Sequence, residues 1–202
     1  MEPLHLRRGY TVIELLVVLA IIGLITAVAL VNQSTFNKTL ILSNTAYDIA
    51  LTIRSTQSLG LGTRAVGASP NVGYGVRFDK AAPKTIKVFA DTHDIGGASC
   101  TGQTPACTSG DRLYTSDSDT LVQTYTLGNG ISVSKFCVIG GNCSDGSLEA
   151  LDIAFVRPNA DTFVNGNAAA SACLTVTSPQ GVSRYVSVGP SGLITATASS
   201  CP

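Results

Sequence analysis

Tryptophan is absent and charge is scarce. Only 13% of the 202 residues are charged, 13 basic against 13 acidic. So neutral a chain has no electrostatic reach for nucleic acid or an anionic lipid surface. No proline occurs between Pro3 and Pro70, so nothing there breaks a helix by removing a backbone N–H. There are two histidines, His5 and His93. His93 lies beside Asp91 and Asp94, but no nucleophile is tied to it, and a surface histidine is the better reading. Asp117-Ser118-Asp119, with Asp111 nearby, could offer oxygens to calcium. The EF-hand spacing and its terminal glutamate are missing, which leaves a solvated loop. The first nine residues lack the apolar core and small-residue cleavage site of a secretory signal.

What is present is one long apolar run. Arg7-Arg8-Gly9-Tyr10-Thr11 leads into Val12–Val31, 20 residues whose only charge is Glu14. At about 1.5 Å per residue such a helix spans the roughly 30 Å hydrocarbon core of a bilayer. Arg7 and Arg8 hold its front on the cytoplasmic side and leave the bulk of the chain outside. A carboxylate in such a run costs about 2.5–3.5 kcal/mol on insertion scales, so Glu14 calls for a partner. A cut after Gly9 would supply one, because the new α-amino group on Tyr10 would lie four residues before Glu14. In a helical array, the amine of one chain would pair with the glutamate of another. A plain signal anchor explains the hydrophobicity but not the Arg-Gly-aromatic-x-x-x-Glu spacing.

Gly9-Tyr10-Thr11-Val12-Ile13-Glu14-Leu15-Leu16 resembles the N-terminal signal of type IV pilins and type II secretion pseudopilins. The resemblance implies cleavage by a membrane prepilin peptidase between Gly9 and Tyr10, N-methylation of Tyr10, and an assembly role for Glu14. It implies other pilin or pseudopilin subunits and an inner-membrane assembly platform as partners; no cofactor, metal or catalytic residue is expected from the residues themselves. Tyr10 stands where phenylalanine is commoner in the family.

Residues 1–9 are then a leader, residues 10–62 a long helix with 12–31 as its transmembrane half, and residues 63–202 an exterior head. Cleavage removes Arg7, Arg8 and Glu2 and leaves 11 basic residues against 12 acidic. The six cysteines, Cys100, Cys107, Cys137, Cys143, Cys173 and Cys201, all follow the apolar run and face an oxidising exterior. Among 15 connectivities, nearest-neighbour pairing gives Cys100–Cys107, Cys137–Cys143 and Cys173–Cys201. The last closes a loop of about 28 residues and contributes roughly 3–4 kcal/mol by chain entropy. Spacings of 7 and 6 do not fit zinc pairs.

Along the chain, the polar stretch VNQSTFNKT (31–39) predicts a bend or loosening of the helix. Beyond it Leu42, Ala46, Ile49 and Ile53 form an apolar stripe, with Asn44, Asp48 and Arg54 off it. Gly60 and Gly62 supply the stop. The whole helix, Thr11 to about Leu61, would be roughly 75 Å long if straight. Then the period changes to two. Val72–Phe78 and Thr85–Ala90 read as a strand pair around DKAAPK. Asp91–Asp119 is a polar insertion. Leu121–Leu127 and Ile131–Ile139 read as a hairpin around Gly128-Asn129-Gly130. Gly140–Gly146 is a loop, Leu151–Val156 a strand, and Ala172–Thr177, Val182–Val188 and Leu193–Thr197 are three closing strands.

The expected fold class is α+β: a pilin fold with its helix packed on an antiparallel sheet and disulfides in the head. The layout looks most like minor pseudopilins of the GspH/FimT type, with Tyr74–Phe78 as the strand after the helix and a glycine-led terminal strand. FimT-like subunits are similar to DNA-uptake receptors, whose phosphate contacts come from a C-terminal Gly-Arg-x-Arg. The matching place here is Gly192-Leu193-Ile194-Thr195, without either arginine, and Arg157 and Arg184 stand alone. The expected function is a structural, non-enzymatic filament subunit, a minor pilin or pseudopilin, anchored in the cytoplasmic membrane before assembly. The rivals are a major pilin and a filament-tip adhesin or DNA receptor that would use Asp91–Asp119 as its contact surface.

Overall fold

The fold is that of a computed structural model, which describes residues 9–62, 66, 72–92, 110–139, 148–158, 161–168, 170–197 and 200–201, apart from the side chains of 31–36. Among the described residues, one helix, α1 (Val12–Leu61), precedes ten strands. The chain forms two compact units, one ending at Leu40 and the other beginning at Ile41.

In the first unit, every residue of the 19-residue apolar segment Val12–Leu30 is exposed. A helix with no buried side leaves its apolar surface to lipid or to other helices. Thr26 donates its hydroxyl to the Ile22 carbonyl at 2.7 Å, which satisfies that polar group without water. The expected loosening over 31–39 does not break the helix, which runs on to Leu61. With no proline in the stretch, every backbone donor stays available to the ladder.

In the second unit the predicted stripe is buried: Leu42, Ala46, Ile49 and Ile53 are at most 2% exposed, joined by Ala50. It packs between two antiparallel sheets. The first has the order β3-β2-β1-β5-β6-β7, built from β1 (Gly73–Asp79), β2 (Thr85–Asp91), β3 (Thr120–Thr126), β5 (Ala150–Phe155), β6 (Thr162–Val164) and β7 (Asn167–Ala168). The second has the order β10-β9-β8-β4, built from β4 (Ser132–Ile139), β8 (Ser171–Thr177), β9 (Ser183–Val188) and β10 (Ile194–Thr197). Alternate residues of each sheet, such as Val76 and Phe78, Ile153 and Phe155, Leu174 and Val176, meet the helix in one core. Helix side chains also hold the end of the second sheet. Arg54 donates to the Ile194 carbonyl at 2.7 Å and Gln57 to the Gly192 carbonyl at 3.0 Å.

The predicted β1–β2 pair forms, with Val76 opposite Val88. The predicted hairpin between β3 and β4 does not. Its turn closes as expected, with the Ile131 N–H on the Gly128 carbonyl at 3.0 Å and positive φ at Asn129 and Gly130. The two strands then part: β3 pairs with β2 and β4 with β8, in different sheets. The β1–β2 turn lies between them. Its Lys84 and Pro83 carbonyls accept from Leu127 and Val133, both at 2.8 Å, and so occupy donors a hairpin would use. A hairpin the sequence reading passed over is β6–β7, turned by Asn165 and Gly166 at positive φ.

Cys173 and Cys201 are joined as expected, across 28 residues. Cys137 is also disulfide-bonded. Its expected partner Cys143 lies outside the described residues, as do Cys100, Cys107, His93 and the Gly140–Gly146 loop.

Candidate functional site

The N-terminal site is built by the first turn of α1. Thr11 stands just before the helix, and its Oγ1 accepts the Glu14 N–H at 3.3 Å. Its carbonyl accepts the Leu15 N–H at 3.2 Å. Thr11 is therefore the N-cap and Glu14 the third helical residue, the Thr-x-x-Glu spacing of a capping box. A carboxylate in the first turn also meets the positive end of the helix dipole. Tyr10, at 85% exposure, is the residue immediately before the cap. A Cβ on Gly9 would meet nothing within 4 Å, and its backbone is not in the left-handed region. Nothing in the described fold therefore demands glycine at position 9. The sequence singles out Gly9, Tyr10 and Glu14 and gives Thr11 no part, although the Thr-x-x-Glu signal is open to view.

Residues 4–30 match the prokaryotic N-terminal methylation motif. That motif marks pilin-like and pseudopilin subunits that prepilin peptidase processes, which are structural and assemble with one another. The chain carries this signature on an apolar N-terminal helix fit to be a single-pass anchor, ahead of an α+β head. No curated protein and no solved structure matches it.

A second cluster lies on the outer face of the first sheet, beneath the segment 110–119. Asp119, which the sequence placed in a solvated loop, and Asp91, the first residue of the polar insertion, are buried, and so is Asp152 of β5. They are buried because their oxygens replace β-ladder partners for an irregular segment. Asp91 Oδ2 accepts the Arg112 N–H at 2.7 Å, and Asp111 Oδ1 the Leu113 N–H at 2.9 Å. Asp152 Oδ2 accepts the Tyr114 N–H at 3.3 Å, and Asp119 Oδ2 the Thr115 N–H at 2.7 Å. Asp119 Oδ1 also accepts from Thr92 N at 2.9 Å. Arg77 of β1 reaches Asp152 Oδ2 at 2.9 Å and Asp79 at 3.7 Å. The Tyr114 ring tilts against Phe89 at 5.3 Å, with the Arg77 and Lys87 cations near its face.

Burial pushes Asp91 up to about 7 against the opposing Arg112 N–H bond, and the Asp119 and Asp111 charges add to the rise. Burial likewise pushes Asp152 up to about 6, against the opposing pull of Arg77. Among the described residues no group of three His, Cys, Asp or Glu side chains is placed to hold a metal ion. The carboxylates serve backbone N–H groups instead.

Arg184, the isolated cation of the closing strands, donates Nε to Ser43 Oγ and Nη1 to the Ser183 carbonyl, both at 3.1 Å. It ties β9 to the helix and forms no cluster with a second basic side chain in those bonds.

Proposed function

We propose that the chain is a subunit of a type IV filament, a minor pilin or pseudopilin, that works by assembly. The carrying observation is the placement of Glu14: the one charge in a wholly exposed apolar span, in the first capped turn, four residues after Tyr10. Prepilin peptidase cuts between Gly9 and Tyr10 and the new terminus is methylated. The cut leaves an α-amino group one residue before the N-cap. That cation sits at the positive end of the helix dipole, where it is disfavoured without a neighbouring anion.

During assembly the anchor leaves the bilayer and Val12–Val31 exchanges lipid for other helices. The Glu14 of one subunit meets the Tyr10 amine of its neighbour. The pairing removes a buried lone charge, which would otherwise cost several kcal/mol. The leader stays cytoplasmic and the second unit lies outside. Disulfide bonds in that unit support an oxidising exterior for it.

The head has the order of elements expected of a pilin fold of the GspH/FimT kind: a helix, then β1, then a terminal strand β10 led in by Gly192. The finer reading as a minor pseudopilin rests on that order.

The test is to shear surface filaments from the native cell and quantify this chain against the other subunits by mass spectrometry, reading its N-terminal peptide. A trace amount beginning at methylated Tyr10 supports the minor subunit. Dominance with the same terminus makes it the major pilin. Retention of residues 1–9 in the membrane, with none in filaments, refutes the proposal.

A further inference from the structure

The segment Gly110–Asp119 crosses the outer face of the first sheet without joining it. Its four consecutive N–H groups from Arg112 to Thr115 are all received by aspartate carboxylates, those of Asp91, Asp111, Asp152 and Asp119. Two of these, Asp91 and Asp152, rise from the sheet and are buried. In each, Oδ2 holds the segment, while Oδ1 is buried and has no hydrogen-bond partner among the described residues. The segment itself shuts Asp91 in. Gly110 passes so close that a Cβ there would run into the Asp91 carboxyl group. Arg112 is held in the left-handed region at φ 65°, with its guanidinium 4.3 Å over Phe163. A non-glycine residue stays in that region only where its surroundings impose it.

The geometry points to a proton-operated clasp: Gly110–Asp119 closes on the sheet when Asp91 and Asp152 take up protons at Oδ1, and loosens when they lose them. Protonation there removes a buried charge and leaves each N–H···Oδ2 bond in place. Deprotonation leaves a charge on an oxygen that has no donor among the described residues, and opening the segment hydrates it. The groups facing Asp91 are Asp111, Arg112 and Asp119; the two carboxylates disfavour a further negative charge, while the Arg112 and Asp111 backbone N–H groups favour it less strongly than burial opposes it. Those facing Asp152 are Arg77, Tyr114 and Asp111; Arg77, shared with Asp79, favours the charge, so Asp152 releases its proton first as pH rises. A clasp closed by acid follows the linkage sign, because the state that binds protons more tightly is the one that low pH populates.

The test is hydrogen–deuterium exchange of the 110–119 amides in the full chain, held in a lipid nanodisc and corrected for intrinsic rate, at about pH 5.5 and about pH 8.5. Protection of this segment should be about tenfold greater at the lower pH, while β8 and β9 hold steady. Asp91→Asn, which keeps a neutral acceptor toward Arg112, should remove most of the difference and leave the segment protected at both values. His93→Gln should leave the difference intact, which separates the carboxyl groups from the His93 imidazole. Equal protection of the wild-type segment at both values, stronger protection at the higher one, or loss of the effect in His93→Gln would each overturn the clasp. The wild-type comparison stands even if Asp91→Asn fails to fold.

Discussion

Gly9 has open space around it and an ordinary backbone, so whatever requires a glycine there acts from outside the fold. Gly9→Val should therefore leave the stability of the head unchanged and block processing, with residues 1–9 still attached. An N-terminal sequence beginning at Tyr10 in the variant would sink the cleavage assignment. Glu14→Ala removes the carboxylate but keeps the Glu14 N–H that Thr11 caps. Cleavage should persist while incorporation into filaments falls; incorporation at the wild-type level would count against the pairing mechanism. These candidates were legible in the sequence because their chemistry is local: a basic leader, a glycine, an aromatic and a glutamate within eight positions. Asp91 and Asp152 were not. Each looks like an ordinary strand-end or strand aspartate until the fold places the 110–119 backbone over them.

At the scale of elements, periodicity worked where one face meets one core. The stripe through Leu42, Ala46, Ile49 and Ile53 was plain in the sequence and is the face the sheets bury. Ile53→Ala should cost about 2–5 kcal/mol in chemical denaturation of the head, through lost contacts and the cavity left behind. A cost under about 1 kcal/mol would mean that the helix is not integral to that core. Gly75 is the converse case: a Cβ there would strike the Phe89 ring, so Gly75→Ala should destabilise by about 1–3 kcal/mol through overpacking. Pairing was less legible than the strands themselves. The Gly128-Asn129-Gly130 turn predicted a hairpin and the turn formed, yet its strands belong to separate sheets. Local turn chemistry fixes the reversal of the chain, but the Pro83 and Lys84 carbonyls that claim Val133 and Leu127 come from a distant segment. The Asn165-Gly166 turn carried a real hairpin signal. Its strands, three and two residues long, are too short to show a period in the sequence.

The whole molecule divides inside its helix, at Leu40, and not at the helix end where composition changes. The amphipathic half supplies the central face of the head, so the autonomous piece should be the one beginning at Ile41 and not one beginning after Gly62. A fragment spanning 41–202 should fold cooperatively with Cys173–Cys201 formed, whereas a fragment spanning 63–202 should not, because two sheets would face each other without the stripe between them. The same fragment tests how the buried carboxyl groups bear on global stability. Asp91 moves from 3.8 to about 7 and Asp152 from 3.8 to about 6 on folding, so the folded state binds more protons than the unfolded state across that window. Their contribution is complete below about pH 4 and is lost as pH rises through 6 to 7, because each must then carry a desolvated charge. Thermal melts of the 41–202 fragment should therefore show a midpoint that falls between about pH 5 and about pH 8, and Asp91→Asn should flatten the decline. A midpoint that rises over the same interval would mean that hydrogen bonds to the ionised carboxylates outweigh their burial. That outcome would overturn the acid-closed clasp.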